Sequence, residues 1–295
     1  MLNAISIDVE EWFHPEILRG RFMPDEWPGL ESRAGANVDR ILCQLDAAGV
    51  RATFFVLGWV AERDPKLVPR LVAAGHEIAS HGYAHAMITQ QTPEEFDADL
   101  ARSLDILASQ SGRRIVGYRA PSFSIVESTL WAFDVLIDHG IEYDSSIYPV
   151  HHDRYGIPTA PRAPYRVARR GNVELWELPP PTLRVFGRNL PAAGGGTLRL
   201  LPYAASELVL RRLNAAGIPG IVYVHPWEFD AEQPRVPMSW AKTLRHYANI
   251  GRMAGKLERL LGTFDFDTCA AVLQSVRSAA RPEAKRTRQL QVAGV

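Results

Sequence analysis

What most constrains this chain is a rhythm in which short apolar runs, several stopping at a polar residue, alternate with stretches of helical periodicity. Asn3 to Ile7 runs into Asp8, His76 to Ser80 into His81, and Arg114 to Tyr118 into Arg119. Further on, Val173 to Trp176 runs into Glu177 and Gly220 to Val224 into His225. Another run, Ala52 to Leu57, has the Thr-Phe-Phe-Val core of a buried strand. Strand, helix and strand in repetition imply parallel strands joined by crossover helices. About seven mainly parallel strands in a chain of 295 residues fit an α/β fold, a deformed (β/α) barrel with a helical extension at its C-terminal end. Barrels and open sheets of this kind both carry their chemistry at the carboxyl ends of the strands, and that is where all five polar residues fall.

The helical stretches are punctuated by ordinary stop and start signals. The stripe Val38, Ile41, Leu42 and Leu45 has helical spacing, a helix over Lys66 to Ala74 ends at Gly75, and Thr92 with Glu95 forms a capping box that opens a helix closed by Gly112. Another helix spans Leu130 to Ile137. Prolines make Tyr148 to Pro164 irregular, and the turn signals from Pro179 to Pro202 read as a long functional loop. Ser206 to Ala216 is helical, and the positions from Leu244 to Leu261 read as one surface helix packed on the barrel. Residues 1–278 are therefore expected to form one catalytic domain, with 240–278 as its helical extension. The polar, basic segment 279–295 is expected to be a disordered tail.

Composition narrows the partners and the compartment. Hydrophobic residues make up 46% and charged residues 22%, enough to bury a substantial core. Lys plus Arg equals Asp plus Glu at 33 each, so no net field draws the chain to nucleic acid. Two cysteines, Cys43 and Cys269, read as buried free thiols. A strand beginning at Asn3 leaves no room for a cleavable leader, and no apolar run approaches the roughly 20 residues that span a bilayer. Together these point to the cytoplasm and to a chain without a transmembrane segment. Oligomeric state is not legible.

The chemistry-bearing residues converge on metal-assisted hydrolysis. His81 and His85 are four residues apart just after a strand, and a helical turn there would put both imidazoles on one face. Two histidines and a carboxylate leave a tetrahedral Zn²⁺ one open position. The acidic cluster Asp8, Glu10 and Glu11 can supply that carboxylate, and also a second carboxylate to take a proton from the attacking water. Side chains alternate along a strand, so Asp8 and Glu10 share a face while Val9 and Glu11 share the other, which favours Glu10 as ligand; a bulge after Asp8 would bring in Glu11 instead. The donor set suits Zn²⁺, with Co²⁺ or Ni²⁺ possible, better than Mg²⁺ or Ca²⁺. Arg119 can hold the base carboxylate ionised, and His225 can protonate a leaving amine. Trp12, Tyr148 and Trp227 are candidate surfaces for stacking on sugar rings.

These motifs resemble the polysaccharide deacetylases, carbohydrate esterase family 4, from about Ser6 to Glu228. Ile5-Ser6-Ile7-Asp8 is similar to the first motif, Ala52 to Gly58 to the second strand, Ser80 to His85 to the metal motif, Arg119-Ala120-Pro121 to the third motif, and Val224-His225 to the fifth. The wider pattern, with Tyr143 to Ser146, Gly194 to Pro202, His225 to Glu228 and Arg245 to Asn249, looks like the branch associated with exosortase-linked exopolysaccharide loci. The resemblance implies removal of N-acetyl groups from the amino sugars of an exopolysaccharide or a lipid-linked sugar precursor, with release of acetate. It implies Asp8 as general base, His81 and His85 as metal ligands, Arg119 as the orienter of Asp8, and His225 as general acid. Two departures stand out. Val9 replaces the usual second aspartate of the first motif, and the Asp-Trp element that tunes the acid histidine has no counterpart, so what orients His225 is open.

Two other functional classes share these residues. One is a hydrolase of cyclic amides or imides on the same fold, which turnover of a cyclic imide in place of acetate release would reveal. The other is a non-catalytic carbohydrate-binding member, whose mark would be a lost catalytic residue.

Overall fold

A computed structural model describes residues 1–280. Seven strands form one parallel run, in the order Ile221–Val224, Asn3–Val9, Thr53–Val56, Glu77–Ser80, Gly117–Tyr118, Tyr143–Asp144 and Val173–Glu177. The first five in sequence are β1 (Asn3–Val9), β2 (Thr53–Val56), β3 (Glu77–Ser80), β4 (Gly117–Tyr118) and β5 (Tyr143–Asp144). Next come β6 (Tyr165–Arg170), which pairs antiparallel with β7 (Val173–Glu177), and the separate hairpin of β8 (Thr182–Val185) and β9 (Arg188–Pro191). The parallel run then closes on its other flank with β10 (Ile221–Val224), and β11 (Phe266–Asp267) adds a short second partner to β1.

Alternation along the strands sorts the residues between two layers. In β1, Ile5, Ile7 and Val9 pack outward into the main core, against Val38, Ile41 and Leu45 of α1 (Ala34–Ala48). Ala4 points the other way, into a cluster with Phe55, Ala79, Tyr143, Leu178 and Ile221. Because that inner cluster draws on both flanks of the parallel run, the sheet is wrapped around it, which makes a deformed (β/α) barrel. The helices α2 (Gly58–Arg63), α3 (Leu67–Ala73), α4 (Pro93–Ser111) and α5 (Ala132–Asp138) are the crossovers between β2 and β5. The capping box of Thr92 and Glu95 starts α4, and Gly112, with φ of 64°, ends it.

The second half departs from the sequence reading in two stretches. Pro179 to Pro202 is not a structureless loop: it holds the β8–β9 hairpin and the short helix α6 (Gly195–Leu200). The hairpin turn has positive φ at both Phe186 (47°) and Gly187 (79°), and a phenylalanine in the first of those positions gives none of the usual Asn or Gly signal. After α7 (Tyr203–Ala215), the stretch expected as one helix is two, α8 (Trp240–Tyr247) and α9 (Met253–Thr263), divided where Asn249 takes φ of 61°. Met253, Leu257, Leu260 and Leu261 of α9 join the main core, whereas Leu244 of α8 is exposed.

The last helix, α10 (Cys269–Ala280), places Cys269, Val272 and Leu273 against the inner cluster at the amino ends of the strands. Ala279 and Ala280 thus belong to a helix, and the rest of the expected tail, 281–295, lies outside the described residues. Cys269 is buried but Cys43 is exposed, because it falls beside rather than within the α1 stripe. Among the described residues no helix is long and apolar enough to cross a membrane.

Candidate active site

The carboxyl end of β1 sets the geometry. Asp8 continues the inward alternation, and Glu10, just past the strand, turns to the same side. Its Oε1 lies 3.3 Å from His81 Nε2 and 3.0 Å from His85 Nε2, and the three donor atoms lie within 4.8 Å of one another. Ligands of one tetrahedral zinc ion stand about 3.3 Å apart, and the two separations from Glu10 to the imidazoles are close to that. Burial alone would raise the Glu10 carboxyl, but the His85 and His225 rings and hydrogen bonds from His81 and His85 hold it well below the usual carboxylate range. A buried, ionised carboxylate facing two imidazoles is the donor set of a divalent metal centre.

Each ligand is aimed by its surroundings. His81 Nδ1 donates to the Arg119 carbonyl oxygen at 2.8 Å, which fixes the ring with Nε2 toward Glu10. His85 does not follow on a helix, as the four-residue spacing suggested. The segment from His81 to Met87 is irregular, with Gly82 at φ of 76° and His85 at 53°. Asp99 of α4 shapes this loop by accepting the backbone N–H groups of Tyr83 (2.8 Å) and Ala84 (3.1 Å), and a Cβ at Gly82 would sit 2.9 Å from the same carboxylate. The His14 ring lies parallel to His85, with centroids 5.6 Å apart, and its Nδ1 accepts the Glu11 N–H.

Glu11 has a different task. Its carboxylate accepts from Ser32 Oγ (2.5 Å) and from the backbone N–H groups of Arg33 (2.9 Å) and Ala34 (3.2 Å), so it caps the start of α1. It turns away from the histidines.

Beside the metal cluster stands a chain of charges. Arg119, wholly buried, donates from Nη1 to Asp8 Oδ1 at 2.6 Å and to Ser6 Oγ at 2.8 Å. Its Nη2 donates to Ser145 Oγ at 2.9 Å. Burial works against the guanidinium charge, and the Asp8 carboxylate outweighs it, so Arg119 stays ionised. On the other side, His225 Nε2 is 3.9 Å from Asp8 Oδ2. Burial would push His225 down, but Glu10, Glu228 and Asp8 together raise it to about 9. Such a ring carries a proton at neutral pH and faces the site with it.

The sequence reading missed what orients His225. It is Glu228, three residues on in the turn Pro226–Phe229, whose Oε2 accepts from His225 Nδ1 at 3.0 Å and from the His225 backbone N–H at 3.1 Å. The wholly buried Glu228 then meets Arg199 of α6 through its other oxygen, at 3.1 Å. Glu228 had a local signal, an acid at i+3 from the histidine; Arg199 had none.

Glu177, also at a strand end, lies beneath the site. It sits across from Asp144 on β5, both wholly buried, and burial raises Asp144 to about 6 and Glu177 well above its ordinary value. Asp144 accepts from Ser146 Oγ, which in turn accepts the Ala120 N–H, so this pair braces the segment that carries Arg119. Trp12, Tyr148 and Trp227, expected as sugar platforms, are all more than nine-tenths buried. Trp12 packs on Phe13 and Phe22, Tyr148 on Phe123, and Trp227 lies stacked between His225 and His246. These rings are supporting walls rather than open faces, because the loops that carry them fold over one another.

Comparison with known proteins separates the chain into two matched stretches. Residues 25–143 match the family described as polysaccharide deacetylase. Residues 145–274 match a domain of unknown function, DUF3473. The boundary between the two stretches falls at the end of β5, inside the parallel run of the barrel. A peptidoglycan deacetylase-like protein of Gibberella zeae is 35% identical over 113 residues, 38% of this chain and 32% of that protein. A peptidoglycan-N-acetylglucosamine deacetylase of Bacillus cereus is 33% identical over 109 residues, 37% of this chain and 38% of that protein. The chain thus spans under two-fifths of the length of these curated deacetylases. A crystal structure from Mycobacterium smegmatis, assigned as a polysaccharide deacetylase, superposes with a TM-score of 0.63 at 23% identity, over 94% of this chain and 90% of that one; it shares the fold.

Proposed function

We propose that this chain is a metal-dependent deacetylase that removes N-acetyl groups from the amino sugars of a glycan and releases acetate. The observation that carries this reading is the meeting, at one end of the barrel, of Glu10, His81 and His85 with Asp8, which stands between Arg119 and His225. The named activities of the Gibberella and Bacillus relatives support it. Residues 1–278 act as one catalytic unit in this reading, supported by a main core that joins Ile5 and Phe54 to Leu210 and Leu257.

Glu10, His81 and His85 would hold the metal, with Zn²⁺ favoured by two imidazoles and a carboxylate. When bound, the ion polarises the acetamide carbonyl and eases deprotonation of the attacking water. Asp8 takes that proton, its carboxylate held in place by Arg119. His225 gives its Nε2 proton to the departing amine nitrogen, so that the sugar leaves as a neutral amine while the ring keeps its Nδ1 proton, hydrogen-bonded to Glu228. The finer reading is an exopolysaccharide or a lipid-linked precursor as substrate, in the cytoplasm, with no nucleic-acid partner. The free thiols of Cys43 and Cys269 and the balanced charge support compartment and partner.

The test is acetate release from a panel of free and lipid-linked N-acetylated amino-sugar glycans, with metal-stripped protein reloaded with Zn²⁺, Co²⁺ or Ni²⁺. Release that depends on the metal is expected. No acetate from any member under any of the three ions would overturn the reading.

A further inference from the structure

The stretch matching a domain of unknown function supplies the acid side of the site, and one buried arginine in it connects that side to the molecule's surface helices. We infer that Arg199 is a positioning residue, which ties Glu228, and through it the His225 ring, to the backbone end of α8. This inference rests on the deacetylase reading for the work that His225 does, but its geometry stands apart from it.

Four links make the chain. At the outer end, α8 finishes at Tyr247; the Ala248 N–H still reaches the Leu244 carbonyl, and the carbonyls beyond that one have run out of helical donors. Arg199 supplies them: Nη1 donates to the Ala248 carbonyl at 2.8 Å and Nη2 to the Arg245 carbonyl at 2.9 Å. Its third arm, Nε, donates to Glu228 Oε1 at 3.1 Å. Glu228 spends its remaining oxygen on His225, holding backbone and ring together. A guanidinium is the one side chain that serves three acceptors in a fixed plane, so the helix end, the carboxylate and the imidazole are set relative to one another by a single rigid fork.

The surroundings fix that fork in turn. Lys256 of α9 donates to the carbonyls of Leu198, Arg199 and Leu201, which pins the segment carrying the arginine. Trp227 stacks on His225 on one side and on His246 on the other, with the Arg199 guanidinium 5.5 Å from its ring centre. Arg199 is 3% exposed and Glu228 wholly buried, so neither is held in place by solvent or by crowding of long surface chains. The consequence is directional. With Nδ1 committed to Glu228, the imidazole cannot flip, and Nε2 is left facing Asp8. Removing the arginine frees Glu228 to turn and the ring to follow, without touching Glu10, His81 or His85.

Arg199→Ala and Arg199→Lys in the full chain test this, with Zn²⁺ content, kcat and KM on an acetylated chitooligosaccharide, and ¹⁵N spectra of labelled histidine. The expected result for Arg199→Ala is unchanged Zn²⁺ content, kcat lower by about 10- to 100-fold with KM within about threefold, and partial recovery on adding guanidinium ion. The His225 Nδ1–H signal seen in the wild type should broaden or vanish. Arg199→Lys, which keeps the charge but cannot span three acceptors, should lose kcat without recovery by guanidinium, and it serves should the alanine variant not fold. Unchanged kcat in a folded variant, or a His225 Nδ1–H signal that survives the substitution, would overturn the inference. The spectra need no substrate, so they decide it even where the acetate assay fails and the deacetylase reading falls with it.

Discussion

The two halves of the barrel build their shares of the site by different means. In residues 1–144 the strand end itself aims the side chain: Asp8 and Glu10 follow from alternation along β1, and His81 and Arg119 each stand just past a strand. In residues 145–280 His225 also follows a strand, but its direction comes from Glu228 and Arg199, held by α6 and by the end of α8. The first half therefore takes most of its aim from the sheet register, with the exception of His85, whose loop is shaped by Asp99 of α4. The second needs contacts between segments far apart in sequence, 29 residues from Arg199 to Glu228 and 49 from Arg199 to Ala248. A family match that ends at residue 143 coincides with this change of method.

The largest effect expected is in the first half. Glu10→Gln should weaken metal binding by at least about 100-fold, since changes to groups behind a ligand already cost 10- to 100-fold. Titration of the stripped protein with Zn²⁺ checks it. An affinity within tenfold of wild type would show that the cluster is not the metal centre, and would break the contrast between the halves.

A smaller effect sharpens the second half. His246, buried against Trp227, has its pKa lowered to about 4, by burial first and then by Arg199. Its Nε2 has no partner, so the ring is kept neutral in the folded protein. An unfolded chain takes up a proton near the ordinary value of 6.5. The unfolded state thus binds more protons below that pH, and stability falls as pH drops from 6.5 towards 4, with no contribution from this ring above 6.5. At about 1.4 kcal/mol per unit the loss is at most about 3 kcal/mol. His246→Gln should flatten the fall of Tm across that window, and an identical slope in the variant would show that the acid side is not strained in this way.

The smallest effect is a control inside the first half. Glu11 stands next to Glu10 in sequence but caps α1. Glu11→Gln should leave Zn²⁺ affinity unchanged and cost up to about 1 kcal/mol of stability, the scale of a lost helix cap. A marked loss of metal in this variant would mean that the two neighbouring carboxylates are not separated by face.

The sequence by itself determined the barrel rhythm, because parallel strands buried on both faces must be apolar runs and must be joined by crossovers long enough to hold a helix. It also placed Asp8, His81, Arg119 and His225 at one end of the sheet, and alternation favoured Glu10 over Glu11, a choice that a bulge after Asp8 would have reversed. Tertiary structure decided what periodicity cannot carry. The irregular loop that turns His85 back to Glu10 is shaped by Asp99 from α4. The break between α8 and α9 follows one left-handed residue, Asn249, in an otherwise helical pattern. Trp12, Tyr148 and Trp227 look alike as aromatics near loops, and only the packing of those loops shows that their faces are covered. Arg199 reads in the chain as one more surface cation. It becomes a buried clamp because a carboxylate and two helix-end carbonyls, none of them near it in sequence, converge on a single guanidinium.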